Sequence, residues 1–142
     1  MHTLHISAVT VLERMRRYGL LLARAGAERQ PHVRAAREHY LRDLARALPM
    51  TAAVAVVAAE ISTLLPDPPT PPHRSHRKSE SRHHRLVRWR FDCIIAATAL
   101  VTRMRLVHNN PRDFETIRLT VETVPQRFPD LGPLELIRCT RL

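Results

Sequence analysis

Cysteine and long apolar runs are scarce in this chain, and their scarcity excludes two classes of protein. Cys93 and Cys139 are too few and too far apart to form a disulfide framework or a zinc motif. We expect Cys93 to pack as a small hydrophobic residue. No segment approaches the roughly 18 consecutive apolar residues of a membrane span, and the first residues show no signal-peptide pattern. The sequence therefore predicts a cytoplasmic protein without a membrane segment.

Negative charge is also scarce, since 13 acidic residues stand against 23 basic ones and the formal net charge is +10. A balance this basic favours a polyanionic partner, which is RNA, DNA, an acidic protein or an anionic membrane. Lys78 is the only lysine, and the planar fork of arginine suits bidentate phosphate contacts. A coding sequence biased toward arginine would give the same composition. Charge by itself therefore does not select the partner.

The 142 residues are enough for one hydrophobic core, so we predict a single domain spanning residues 1–142. Hydrophobic periodicity and turn residues indicate where its elements lie. The predicted elements are a strand at 4–7, helices at 11–25 (with Thr10 as N-cap), 31–48 and 52–65 (capped by Thr51), an exposed loop at 66–84, an edge strand at 119–122, and an irregular tail at 123–142 anchored by Phe128, Leu131, Leu134 and Ile137.

The loop at 66–84 contains five prolines and four histidines with almost no apolar residues. It is too rich in proline for a helix and too polar to bury, and a cationic loop of this kind can grip a nucleic-acid backbone. The histidines at 73, 76, 83 and 84 lack the cysteine or acid spacing of a transition-metal site. After the loop, Trp89 and Phe91 either pack in the core or stack on bases beside arginines, and we favour the core.

The segment RFDCIIAATALVTRMRLVHNNPRDFETI, residues 90–117, carries the strongest signal for chemistry. Asp92 precedes an apolar run, so we predict that a helix begins near it, because a carboxylate in the first turn is stabilised by the helix dipole. Residues 104–107 are predicted to form a short buried strand, and a turn then leads to Asp113 on a short helical turn. A helix packed antiparallel to the next strand would bring Asp92 and Asp113 together. Two such carboxylates suggest a site for a hard metal ion.

The run D-x-x-IAATAL, the strand after it and N-x-x-DF resemble the C-terminal half of PIN domains, the nuclease fold of VapC-type toxins. Residues 6–13, ISAVTVLE, resemble the second strand and the acidic helix of the same family. The resemblance covers residues 4–24 and 85–118. It implies an α/β fold of three layers, with a short parallel sheet flanked by helices.

The resemblance also implies a function, a metal-dependent endoribonuclease that acts as the toxin of a type II toxin–antitoxin pair. Glu13, Asp92 and Asp113 match acidic positions of the family and are the expected catalytic residues and ligands of Mg²⁺ or Mn²⁺. The expected partners are an RNA substrate, an antitoxin protein and a second copy of the chain. Asn110, Arg90 and Arg112 are the expected contacts to the substrate, and Asn110 also orients the turn.

Two positions depart from the pattern of the family. His108 stands where the family usually has threonine or serine. The first aspartate of the family follows a strand that precedes everything seen here, and no aspartate occurs before Asp43. Either the true start lies upstream or the chain is a truncated relative. Two alternatives to the nuclease therefore stay open, a catalytically inactive remnant that keeps a partner-binding surface and a basic RNA-binding module.

Overall fold

The computed structural model describes residues 3–75 and 78–139, so His76 of the predicted loop lies outside the described residues. The helices are α1 (Ala8–Arg24), α2 (Gln30–Arg42), α3 (Ala52–Leu64), α4 (Arg82–Thr102) and α5 (Pro111–Thr123). The strands are β1 (Ile6–Ser7), β2 (Ala47–Leu48), β3 (Arg74–Ser75), β4 (Lys78–Ser79), β5 (Leu106–His108) and β6 (Leu136–Arg138). This content confirms the α/β class.

The strands pair two by two. β1 pairs with β2 and β5 with β6, both in parallel, while β3 and β4 form an antiparallel hairpin. The described strands therefore make three two-stranded sheets instead of one short parallel sheet. The chain divides into two compact units, residues 1–50 and 51–142. The single domain stays a prediction.

In the first unit, α1 begins one turn earlier than predicted. Ser7 is its N-cap, because the Ser7 hydroxyl accepts a hydrogen bond from the backbone N–H of Thr10 at 3.1 Å. α2 ends at Arg42 instead of Leu48, since Ala47 and Leu48 pair with β1. The helical pattern of residues 43–48 is a weak local preference, and the pairing of Ala47 and Leu48 with β1 overrides it.

The core of the second unit lies between α3 and α4, with α5 and the tail packed around them. Thr51 caps α3 as predicted, accepting a hydrogen bond from the N–H of Val54 at 3.2 Å. Trp89 and Cys93 are each only 1% exposed, which confirms the core prediction for both; Phe91 is half-buried. The main core residues are Val54, Ala58, Ile61, Trp89, Cys93, Ala96, Ala97, Leu100, Phe114, Ile117, Val121, Phe128 and Leu134.

The start of α4 is the largest difference from the prediction. The helix begins at Arg82, where Ser81 caps it by accepting a hydrogen bond from the N–H of His84 at 3.2 Å, and not near Asp92. The basic and apolar residues before Asp92 continue the helical period, since Trp89, Cys93 and Ala96 recur at four and three residues and all face the core. Asp92 therefore lies in the middle of a 21-residue helix.

The region after α4 also differs from the prediction. β5 runs from Leu106 to His108 and is only partly buried, since Leu106 packs against the core and His108 is buried whereas Val107 is 44% exposed. α5 includes residues 119–122, which were predicted as an edge strand, because Phe114, Ile117 and Val121 form a buried stripe with helical spacing. Phe128 and Leu134 anchor the tail as predicted, whereas Ile137 on β6 is 38% exposed. No helix within residues 3–75 and 78–139 is both long and apolar enough to cross a membrane.

Candidate active site

Asp113 occupies the first turn of α5, and the local sequence fixes it there. Asn110 is the N-cap, its side-chain oxygen accepting a hydrogen bond from the N–H of Asp113 at 3.5 Å, and Pro111 supplies a first residue already restricted to helical φ. Asp113 is completely buried. A buried carboxylate must receive hydrogen bonds, because burying an ionised group without them would destabilise the fold by an amount on the order of several kcal/mol.

Asn110 supplies one of these hydrogen bonds and connects the two aspartates. Its Nδ2 donates to Oδ2 of Asp113 at 2.9 Å and lies 3.5 Å from Oδ2 of Asp92. One amide nitrogen thus reaches both carboxylates. The structure brings Asp92, Asn110 and Asp113 together, although Asp92 comes from the middle of α4 and not from its first turn.

Thr70 supplies a second hydrogen bond to Asp113, and nothing in the sequence pointed to it. Its hydroxyl donates to Oδ1 of Asp113 from a position 43 residues away in the chain. Thr70 lies within residues 65–75 and 78–81, which we call the strap. The only local signal would have been a hydroxyl among prolines, which is ordinary loop composition.

The strap is held against one face of α4 instead of projecting into solvent. Arg85 donates to the carbonyl oxygens of Thr70 and Pro68, at 3.0 and 2.8 Å, and the indole N–H of Trp89 donates to the carbonyl of Leu65 at 2.8 Å. Pro68 is buried and Thr70 is half-buried, so the prediction of an exposed loop is wrong for this part of the strap. Backbone carbonyls of a proline-rich segment lack neighbouring N–H groups, and α4 side chains supply the missing donors.

Arg88 binds the end of the strap and interacts electrostatically with the acidic pair. It forms a two-pronged ion pair with Glu80, at 3.2 and 3.0 Å, and this hydrogen bonding lowers the pKa of Glu80 to about 2. Glu80 in turn raises the pKa of Arg88, and the charges of Asp113 and Asp92 act in the same direction. Arg88 therefore offsets part of the negative charge that the two aspartates bring together.

Two buried residues close to the pair in the sequence, Cys93 and His108, are poor candidates for chemistry. Burial raises the pKa of Cys93 to about 12, and the negative charges of Asp92 and Asp113 add to this effect. Burial lowers the pKa of His108, whose ring packs against Phe114 with 5.2 Å between the ring centroids. The Nδ1 atom of His108 is buried and has no hydrogen-bond partner within residues 3–75 and 78–139. His108 thus packs against an aromatic ring where the resembling motif has a hydroxyl.

The other predicted site residues lie at the surface. Glu13 is exposed on α1 in the first unit and forms no ion pair with any described residue. Arg90 on α4 and Arg112 on α5 are exposed. In the sequence Arg90 lies two residues before Asp92, and Arg112 directly precedes Asp113. Their roles, and that of Glu13, stay predictions.

The donor chemistry of the pair fits a hard cation. Carboxylate oxygens are the preferred ligands of Mg²⁺ and Mn²⁺, and magnesium is usually held by one or two carboxylates, waters and substrate phosphates. In the part of the chain that the structure describes, no group of three or more His, Cys, Asp or Glu side chains is arranged around a common point. The two carboxylates of the pair therefore have the donor chemistry that a hard cation prefers.

Comparison of the sequence with models of known protein families and with curated proteins finds no match.

Proposed function

We propose that this protein is a metal-dependent endoribonuclease of the PIN type. The observation that carries the proposal is the meeting of Asp92 and Asp113 at the side chain of Asn110, where the nuclease resemblance requires two acids to converge. The role of toxin in a toxin–antitoxin pair, the antitoxin partner and the homodimer rest on the resemblance alone, since a fold does not fix a function.

Asp92 and Asp113 would hold Mg²⁺ or Mn²⁺ through their carboxylate oxygens. A cation bound there would neutralise phosphate charge and activate water for attack on the phosphodiester bond. Asn110 orients both carboxylates through one amide nitrogen, and Thr70 fixes the second oxygen of Asp113. The exposed guanidinium groups of Arg90 and Arg112 are suited to contact the phosphates of the substrate.

RNA cleavage tests this proposal directly. We expect cleavage with Mg²⁺ or Mn²⁺ that EDTA abolishes. The cleavage rate should fall at least 100-fold in Asp92→Asn and in Asp113→Asn, because removing one group that stabilises developing charge typically lowers the rate by about this factor. Asp130→Asn is the matched control, because Asp130 is an exposed acid at φ 62°, a conformation that asparagine accepts. Cleavage that survives Asp92→Asn would refute the proposed site.

One observation favours a second candidate, a partner-binding protein without metal. Both oxygens of Asp113 already accept hydrogen bonds from the protein, so this carboxylate also serves to hold the strap against α5. Manganese titration separates the two candidates. Saturable binding that Asp113→Asn removes supports the nuclease, and no binding at millimolar Mn²⁺ by the folded chain supports the second candidate.

A further inference from the structure

The end of the strap and the start of α4 carry positive charge that the protein does not neutralise. The exposed basic and histidine side chains of residues 73–75 and 78–84 form what we call the hairpin surface: His73, Arg74, Lys78, Arg82, His83 and His84. Glu80 is the one acid in these ranges, and its carboxylate is already paired with Arg88. Arg74, Lys78 and Arg82 form no ion pair with any described residue.

The hairpin surface is held in place by specific hydrogen bonds. The N–H of Glu80 donates to the carbonyl of His73 at 2.7 Å, and the N–H of His73 donates to the Glu80 carboxylate at 3.1 Å. Arg88 then fixes Glu80 to α4. A surface whose backbone is already ordered loses less conformational entropy when it binds a partner.

The hairpin surface and the acidic pair share one support. Arg82 precedes Asp92 by ten residues of the same helix, which corresponds to roughly 15 Å along the axis at 1.5 Å per residue. The strap also contacts both places, since Thr70 donates a hydrogen bond to Asp113 and residues 74–75 and 78–79 of the strap form the antiparallel pair of β3 and β4. A few nucleotides of RNA span such a distance.

We propose that the hairpin surface binds the phosphate backbone of RNA and directs the strand toward Asp92 and Asp113. The choice of RNA as the partner rests on the proposed function. Its basic and histidine side chains suit phosphate oxygens, and the one tryptophan nearby, Trp89, is buried. We therefore expect the hairpin surface to contact chiefly the phosphates, which carry no sequence information directly.

Fluorescence anisotropy with a labelled single-stranded RNA in EDTA tests this inference without cleavage. The variant Arg74→Gln, Lys78→Gln, Arg82→Gln removes three charges of the hairpin surface. The matched control Arg103→Gln, Arg105→Gln, Arg138→Gln removes three exposed charges elsewhere in the same unit. Emission from Trp89, the only tryptophan, verifies that both variants are folded.

We expect the hairpin variant to bind RNA at least about tenfold more weakly near 0.1 M salt. The slope of the logarithm of the binding constant against the logarithm of the salt concentration should decrease in magnitude by about 2, since each lost phosphate contact accounts for about 0.7. The control should stay within about twofold of the unmodified protein. Equal losses in both variants, or no loss in the hairpin variant, would overturn the inference. Displacement of the RNA by poly-glutamate at equal charge concentration would also overturn it, because the surface would then be one for acidic proteins.

The same assay separates this inference from the proposed function. Asp92→Asn should bind RNA as well as the unmodified protein. If no variant cleaves RNA but the hairpin variant alone binds weakly, the nuclease fails and the binding surface stands. If the protein cleaves RNA while the hairpin variant binds it normally, the binding surface fails and the nuclease stands.

Discussion

The ion pair between Arg88 and Glu80 makes a quantitative prediction about stability in acid. In the folded protein the pKa of Glu80 falls from 4.5 to about 2, chiefly because Arg88 donates hydrogen bonds to the carboxylate. At about 1.4 kcal/mol for each unit of pKa, the fall from 4.5 to about 2 sets an upper limit of about 3.5 kcal/mol. The side chains of Arg88 and Glu80 remain 25% and 13% exposed, so solvent screening reduces the contribution. We expect about 2 kcal/mol.

The direction of the pH dependence follows from linkage. A carboxyl group whose pKa is lower in the folded state stabilises the fold when it is ionised in both states, which holds above about pH 4.5. As the pH falls from 4.5 toward 2, the unfolded chain takes up the proton first and the contribution is lost. Glu80→Gln should therefore be less stable than the unmodified protein at pH 7 and nearly equal to it near pH 2.

Urea unfolding followed by tryptophan fluorescence measures this difference. Trp89 is the only tryptophan and is buried, it follows Arg88 directly in the sequence, and its indole N–H donates to the carbonyl of Leu65 in the strap. Its emission therefore reports unfolding of this region. Glu122→Gln is the control, because the exposed pair of Glu122 with Arg118 should contribute nothing measurable. A Glu80→Gln variant as stable as the unmodified protein at pH 7, or a difference that persists undiminished near pH 2.5, would refute the reasoning.

Three further predictions concern the core of the second unit. Trp89→Phe removes the hydrogen bond to Leu65 and part of a buried ring, so it should lower the free energy of unfolding by about 2 kcal/mol in urea titrations followed by circular dichroism; an unchanged midpoint would contradict the contact. Ile61→Ala empties a fully buried position and should cost about 3 kcal/mol by the same method, whereas Val56→Ala, at 64% exposure, should cost little. Cys93 has a pKa raised to about 12, so it should not react with thiol reagents at pH 8 until urea unfolds the protein. Mass spectrometry of peptides locates the labelled cysteine, and rapid labelling of Cys93 in the native state would show that it is accessible.

Helix α4 shows how far sequence patterns reach. The apolar residues after Asp92 correctly predicted a helix, and Trp89 and Cys93 correctly belonged to the core. The start of the helix was misplaced because a carboxylate before an apolar run looks like a first turn. Ser81 and its hydrogen bond to His84 define the true start, and a serine in a polar segment gives no distinct signal.

Two of the short strands, β2 and β6, could not be predicted from sequence patterns. Residues 47–48 continue a helical pattern and yet pair with residues 6–7, and residues 136–138 lie in a proline-rich tail and yet pair with β5. Strand pairing joins residues distant in the chain, and a segment of two or three residues is too short to show a period of its own. No local pattern could have assigned these strands.

By itself the sequence determined the basic charge, the helical stretches and the pair of aspartates on either side of a short strand. Only the tertiary structure decided what surrounds that pair. Thr70 reaches Asp113 across 43 residues, and Arg85 and Trp89 hold carbonyls of a strap that composition described as an exposed loop. The physical reason is that buried polar groups must find partners wherever the fold brings them, and such partners leave no periodic trace along the chain.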